Sequence, residues 1–243
     1  MHMSINLPGW LAEVVDWLGF NWPDIDEDEL REAADHLRAY ARECQDAQDV
    51  THGVVTHELA EVYRAGSYLA LADLWGRQSS GHMHALVEGC ELLADGLDAA
   101  ALAVEGMKYR CITQLGIAAG QMAAALAASA ATFGLASGGA VAAQQLQRRL
   151  VNEIIERFEE EAVGALVDGV IGPVQDQIAT AVAGLVREEA SELAAGEPLP
   201  ALRLNTDDMR TFGAAISVQA EASLSAGQTF ASRISGLTFV TGG

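Results

Sequence analysis

Apolar residues along this chain recur at alternating steps of three and four, the spacing of one face of an α-helix. One such stripe precedes residue 75 and a second follows it. The first stripe consists of Leu30, Ala34, Leu37, Ala41, Cys44, Val55, Leu59, Val62, Gly66 and Leu69, and the second of Leu86, Cys90, Leu93, Leu97, Ala100, Val104, Met107, Cys111, Leu115 and Ala118. The pattern predicts two long amphipathic helices that bury these stripes.

Trp75 and Gly76 stand between the two stripes and are the predicted turn. Glycine adopts backbone angles that other residues resist, and a tryptophan can cover the end of a helix pair with a large apolar surface. We therefore predict an antiparallel helical hairpin with a Trp-Gly turn. The fold class that follows is all-α: an elongated helical bundle built on this hairpin.

Composition changes along the chain predict three parts. Residues 1–25 form a cap helix and a turn, because Pro8 suits a first helical turn and an apolar stripe follows it. Residues 26–195 form the helical bundle, with a break near residues 45–53. Residues 196–243 are a linker and the start of a further helical segment, because two prolines and a glycine interrupt the pattern near residue 196.

The segment from Cys111 to Gln147 contains no charged residue. It is long enough to span a bilayer, but alanine and glycine dominate it, and they gain little from hydrocarbon. The favoured prediction is a tightly packed internal helix pair with a bend at Gly134, Gly138 and Gly139. Insertion into a membrane, as in a channel-forming domain, is the alternative.

The charge balance restricts the partners. Acidic residues number 34 against 14 basic ones, for a formal net charge of −20. Nucleic-acid binding needs a basic footprint, and an anionic membrane surface repels such a chain. The N-terminus also lacks the basic and apolar regions of a signal peptide. We expect no nucleic-acid partner and, if the protein is exported, a route that uses no signal peptide.

No set of residues predicts catalysis or a bound cofactor. Cys44, Cys90 and Cys111 fall on the apolar stripes, without the spacing of a zinc site, and are predicted to be buried. His57 and Glu61 could share a helix face, but the second histidine of the zinc-protease motif is absent. No phosphate-binding loop or nucleophile elbow occurs. The prediction is a protein that is not an enzyme, with no cofactor and no metal.

Several motifs together resemble the WXG superfamily of type VII secretion substrates. They are Leu7-Pro8-Gly9-Trp10, the segment from Trp17 to Pro23, the helix start from Asp26 to Leu37, Ala72-Asp73-Leu74-Trp75-Gly76, and Asp168-Gly169-Val170-Ile171-Gly172-Pro173. In this order they are similar to the N-terminal domain of actinobacterial polymorphic toxins, the domain that also begins the mycobacterial outer-membrane channel and necrotising toxin. The resemblance covers roughly residues 4–195.

The resemblance implies a secretion and delivery module that acts by helical protein–protein recognition. The implied partners are a small WXG-type helical chain or a second copy, and the type VII machinery. The protein would be made in the cytoplasm and end up secreted or on the cell surface. The turn and interaction residues carried over are Trp75, Gly76, Trp10, Trp17, Trp22 and Tyr68.

Two departures from the family pattern qualify this expectation. Trp75 and Gly76 are adjacent, whereas the family motif has a residue between them. The secretion signal, Tyr-x-x-x-Asp/Glu, is also missing, because Tyr68 and Asp73 are one residue too far apart. A partner that carries the signal would supply it.

Overall fold

The computed structural model of this chain describes residues 4–64, 66–131, 137–158, 160, 163–164, 170–176, 203–204 and 206–240. The α-helices are α1 (Ala12–Leu18), α2 (Glu27–Gly53), α3 (Leu59–Val62), α4 (Gly66–Arg77), α5 (His84–Ala131), α6 (Ser137–Phe158) and α7 (Thr206–Ser235). A 3₁₀ turn, Gly9–Leu11, precedes α1, and π-helical segments lie at Val54–Glu58 and Gln78–Met83. The two short strands, β1 (Tyr63–Arg64) and β2 (Arg203–Leu204), pair antiparallel. The all-α prediction is confirmed.

Two compact units make up the chain. Unit 1 comprises Met1–Glu32, Gly96–Asp168 and Thr238–Gly243. Its core joins α1, α5 and α6, because the apolar stripes of these helices converge there. The buried members of the core are Leu11, Val14, Leu18, Phe20, Val104, Met107, Cys111, Leu115, Ala118 and Val151.

The end of α1 depends on a left-handed glycine. Gly19 has a φ of 59°, and its N–H donates to the carbonyls of Val15 and Asp16. Such a residue satisfies helix-terminal carbonyls and turns the chain away from the helix axis. Leu18 is consequently the last helical residue, and Phe20 enters the core of unit 1.

A buried ion pair joins α2 to α5 in unit 1. Lys108 Nζ lies 2.7 Å from Glu27 Oε2, and the two side chains are 0% and 1% exposed. The other carboxylate oxygen of Glu27 accepts the backbone N–H of Ile5. One turn further along α2, Arg31 pairs with Glu105 at 2.5 Å. These contacts run in opposite directions along the two helices, so α2 and α5 are antiparallel here.

The first turn of α2 also binds the last described residues of the chain. Glu29 Oε2 accepts the backbone N–H of Thr238 at 2.8 Å, and the backbone N–H of Asp26 donates to the carbonyl of Phe239 at 3.0 Å. Burial acts to raise the pKa of Asp26, but hydrogen bonds from Ser4 and from the backbone N–H groups of Glu29 and Asp28 outweigh it and lower that pKa.

Unit 2 comprises Ala33–Asp95 and Gly169–Leu237. Gln48 Nε2 donates to the side chain of Ser79 at 2.7 Å, and Tyr40 stacks on Phe230 of α7 with ring centroids 5.1 Å apart. The buried apolar residues are mostly small, which allows helices to approach closely. They are Ala33, Ala34, Leu37, Ala41, Cys44, Ala47, Val54, Val55, Leu59, Cys90, Ala94, Val174 and Ala226.

The position of the turn in the hairpin corrects the sequence-based expectation. Trp75 and Gly76 lie inside α4, and the helical backbone continues through Gln78–Met83 into α5. The interruption falls instead at Tyr63–Arg64, where the backbone becomes extended and pairs with Arg203–Leu204.

Local energetics explain why the helix passes through Gly76. A single helical glycine costs only about 1 kcal/mol relative to alanine, which does not end a helix among good helix formers. Asp73 and Arg77 also form an i,i+4 ion pair that brackets Gly76. At Tyr63, by contrast, a β-favouring residue meets a strand partner.

The other helix boundaries lie closer to those predicted from the sequence. The break expected near residues 45–53 begins one residue later, at Val54, because Thr51 and Gln48 find partners within regular α2 geometry. The predicted helix from Thr206 or Asp207 is α7. The bend residue Gly134 and the linker 196–200 lie outside the described residues, whereas Gly138 and Gly139 belong to α6. The three-part domain division stays a prediction.

The uncharged segment is helical wherever the structure describes it. Within unit 1, Gln147 is buried and its amide bonds to those of Gln114 at 2.5 Å and Gln121 at 3.0 Å. These bonds pair the polar groups of α5 and α6 with one another, as expected for an internally packed helix pair. Among the described residues, no helix is both long and apolar enough to cross a membrane.

Substitution of two glycines tests the corrected turn. Gly76→Ala should raise the free energy of unfolding by about 0.5–1 kcal/mol, because a helical glycine with open space around it gains from a Cβ. Gly19→Ala should lower it by about 1 kcal/mol, because alanine resists a positive φ. Urea denaturation measures both. A loss of stability for Gly76→Ala would indicate that the turn lies at residues 75–76 after all.

A second prediction concerns the contribution of the buried Glu27–Lys108 pair to stability. Lys108→Met should lower the free energy of unfolding by about 3–5 kcal/mol, because Glu27 then remains as a buried charge without its partner. The double variant Glu27→Leu/Lys108→Met should recover most of that loss. Arg157→Ala, which breaks an exposed pair with Glu153, is the control and should cost about 0.5 kcal/mol or less. Equal losses for Lys108→Met and Arg157→Ala would contradict the argument.

Candidate interaction surface

A stripe on the solvent side of α5 in unit 1 carries no charge from Ala99 to Ala127, and the exposed Arg110 lies at its edge. Every residue of this stripe is exposed, at steps of three and four that follow one helix face. We call it the α5 face; it consists of Ala99, Leu102, Gly106, Tyr109, Thr113, Ile117, Gly120, Ala124 and Ala127. The solvent side of a surface helix is normally charged or polar, so this face is unusual in a chain with a net charge of −20.

Large apolar groups on the α5 face stand clear of the rest of unit 1. Leu102, Tyr109 and Ile117 are 63%, 60% and 49% exposed. Between them, Gly106 and Gly120 have no atom within 4 Å of the position that a Cβ would take. Alternating projections and gaps of this kind let a second helix pack closely, with its own side chains over the glycines.

Trp10 extends this surface. It is 65% exposed, and its ring lies against α5, with Cη2 3.9 Å from the position of a Cβ on Gly116. Gly116 precedes Ile117 of the α5 face, so the indole lies next to this face. Of the six residues named from the sequence, Trp10 therefore lies beside the α5 face.

The other two tryptophans of unit 1 face inward. Trp17 packs against the core, and its carbonyl accepts a hydrogen bond from Gln144 Nε2 of α6. Trp22 also packs against the core, and its indole N–H is buried with no acceptor among the described residues. Both fix the segment after α1 against unit 1.

The remaining predicted residues belong to unit 2. The hydroxyl of Tyr68 donates to the carbonyl of Val55 at 3.2 Å, and Trp75 Nε1 donates to His52 Nδ1 at 3.3 Å. Gly76 follows Trp75 within α4. These contacts tie α4 to the helical run that begins with α2, so these residues have structural partners within unit 2.

The cysteine thiols are poor nucleophiles in this fold. All three cysteines are buried and free, as predicted. Burial raises the pKa of Cys90 and of Cys111 to about 11, and it raises the pKa of Cys44 as well. Among the described residues, no group of three histidine, cysteine or acidic side chains could hold a metal ion.

A comparison with known protein families identifies the domain. The model of the WXG100-like domain matches residues 5–155, more than half of the chain. The chain belongs to the WXG100-like domain family. The matched residues include Trp10, Trp75 and the whole α5 face. No curated protein and no solved structure matches the chain.

The α5 face itself was missed at the level of sequence. The apolar stripe predicted for this part of α5, Val104, Met107, Cys111, Leu115 and Ala118, is the buried side of the helix. The α5 face has the same three- and four-residue spacing as the buried stripe but lies on the other side of the helix. Its lack of charged residues is a feature of the sequence that could have identified it.

The thiols provide a test of the packing around α2 and α5. A pKa of about 11 leaves roughly one thiol in a thousand ionised at pH 8, and burial also blocks access. Ellman's reagent at pH 8 should therefore label the native chain far more slowly than the chain in guanidinium chloride, where all three thiols react at once. Fast labelling of the native chain would show that these helices are not packed as described.

Proposed function

We propose that this protein is the non-enzymatic secretion and delivery module of a type VII-secreted polymorphic toxin. It acts by helical protein–protein recognition, with the α5 face as the docking surface. Membership of the WXG100-like domain family supports the connection with type VII secretion. The finer assignment, to an actinobacterial polymorphic toxin, rests on the order of the motifs between Leu7 and Pro173.

The observation that carries the proposal is the uncharged, exposed side of α5. Leu102, Tyr109 and Ile117 follow one another at steps of seven and eight, the spacing of helix-in-groove anchors. The members of the α5 face between them, Gly106 and Thr113, are small and uncharged. A partner helix laid along the α5 face would cover these anchors without the desolvation of a charge within the face.

The occupant we propose is a small WXG-type helical chain, with a second copy of this chain as the other outcome. The missing Tyr-x-x-x-Asp/Glu signal favours a separate partner, which would supply the signal for both chains. On this proposal the complex forms in the cytoplasm and leaves the cell without a signal peptide.

Membrane insertion of residues 111–147 remains the rival proposal. The bonded amides of Gln114, Gln121 and Gln147 weigh against it, because insertion would have to carry these polar groups into hydrocarbon. Leakage of a dye from liposomes at neutral and acidic pH separates the two ideas. Leakage that requires residues 111–147 would favour insertion over recognition.

Charge placed on the α5 face should abolish partner binding. Leu102→Glu/Ile117→Glu puts two carboxylates where the partner helix would lie. We expect the amount of co-purified WXG-type chain to fall about tenfold or more, because burying a charge without a partner costs free energy. The measurement is co-expression with a small WXG-type chain from the same locus, followed by light scattering of the purified complex.

The matched control lies on α7. Val218→Glu/Leu224→Glu adds the same two charges at sites that are 58% and 64% exposed, and it should leave the complex intact. An equal loss in both double variants would point to a general effect of charge. A wild-type chain that stays monomeric with the partner present would remove the docking role of the α5 face.

A further inference from the structure

A groove of about 580 Å³ opens in unit 1 beside the segment that follows α1. Phe20, Trp22 and Pro23 line one side of it. These residues belong to the motif from Trp17 to Pro23. The docking of a partner on the α5 face does not explain this motif. We call this space the Trp22 groove.

The other side of the Trp22 groove is one face of α6. Arg148, Asn152 and Ile155 line it, and they continue the spacing of Gln144 by steps of four, four and three. Gln144 Nε2 donates to the carbonyl of Trp17, which fixes this part of α6 against the end of α1. The three residues that follow on the same face are thereby directed to the groove.

Gly19 makes room for the arginine. Nη1 of Arg148 lies 3.7 Å from the position that a Cβ on Gly19 would take, so the guanidinium rests against the left-handed end of α1. Arg148 forms no ion pair or hydrogen bond with any residue that the structure describes. Its charge is therefore available to a bound anion.

The charge at the Trp22 groove is opposite to that of the chain. Among the residues that the structure describes, no acidic residue lines the groove, although acidic residues outnumber basic ones by 34 to 14 in the sequence. The indole N–H of Trp22 is a second donor without an acceptor among the described residues, and native structures rarely leave such a group unsatisfied. The groove thus combines an apolar lining with unmet donors.

We propose that the Trp22 groove binds a free amphipathic carboxylate, a small molecule with an apolar body and one anionic head. The head lies on the guanidinium of Arg148, which matches a carboxylate in geometry and charge. The body lies between Phe20 and Ile155, beside Trp22, which also lines the groove. The volume is within the range of small-molecule sites, roughly 300–1,000 Å³. This binding site is independent of the docking surface on α5.

Isothermal titration of the full chain with dodecanoate, kept below its micelle concentration, tests the proposal. Dodecan-1-ol is the uncharged probe of the same length and should bind more weakly than dodecanoate. Arg148→Gln should weaken dodecanoate binding about tenfold or more and leave dodecan-1-ol unaffected. Arg149→Gln removes an adjacent, exposed arginine that does not line the groove, and it should leave both affinities unchanged.

The indole proton of Trp22 gives a second measurement that locates the ligand. Its nitrogen–proton NMR signal, identified by its loss in Trp22→Phe, should shift on addition of dodecanoate, while the signal of Trp75 in unit 2 should not. Circular dichroism confirms that each variant keeps its helicity.

Four outcomes would overturn the proposal. They are no binding of dodecanoate, equal affinity for dodecanoate and dodecan-1-ol, equal losses in the two arginine variants, and a shift of the Trp22 signal that depends on protein concentration alone. The last would place a second copy of the chain in the groove.

Discussion

The buried pair of Glu27 and Lys108 is the constraint on which unit 1 depends. Both charges are removed from water, so each requires the other, and a shift of either helix by one residue would separate them. Glu27 stands in the first turn of α2, and Lys108 follows Met107 on the buried side of α5. The same carboxylate accepts the backbone N–H of Ile5. One pair therefore sets the register of two helices and the path of the N-terminal segment.

Periodicity predicted the helices well, because burial of apolar stripes is what stabilises them. The five stripe residues from Val104 to Ala118 are all buried in unit 1, as expected. The turn was misplaced because a glycine is only a local signal. The true interruption at Tyr63–Arg64 is accompanied by pairing with Arg203–Leu204, residues so distant in sequence that no local pattern connects them. Lys108 was unforeseeable for a similar reason, since its burial depends on a carboxylate of another helix.

The site was predictable only in part, because exposure is a property of packing. Trp10, Trp17 and Trp22 all belong to the predicted cap helix and turn, yet Trp10 lies outside against Gly116 and the other two face the core. The hydrophobicity of a tryptophan does not determine whether its side chain packs in the core or stays exposed on the surface. Likewise, Trp75 and Tyr68 were chosen for their place in a family motif, and the structure gives both a hydrogen-bond partner inside unit 2.

The part of α5 in unit 1 has an apolar stripe on its inner side and an uncharged stripe on its outer side. Its inner side buries Val104, Cys111 and Leu115, and its outer side is the uncharged α5 face. A helix that is apolar all round is normally buried, whereas one exposed to water carries charges and i,i+4 ion pairs on its outer side. The charged residues of α5 in unit 1, such as Glu105 and Arg110, lie outside the α5 face. Solubility alone would favour charges on this face as well. The lack of charge on the face supports the proposed docking of a helical partner, and membership of the WXG100-like domain family supports the proposed connection with type VII secretion.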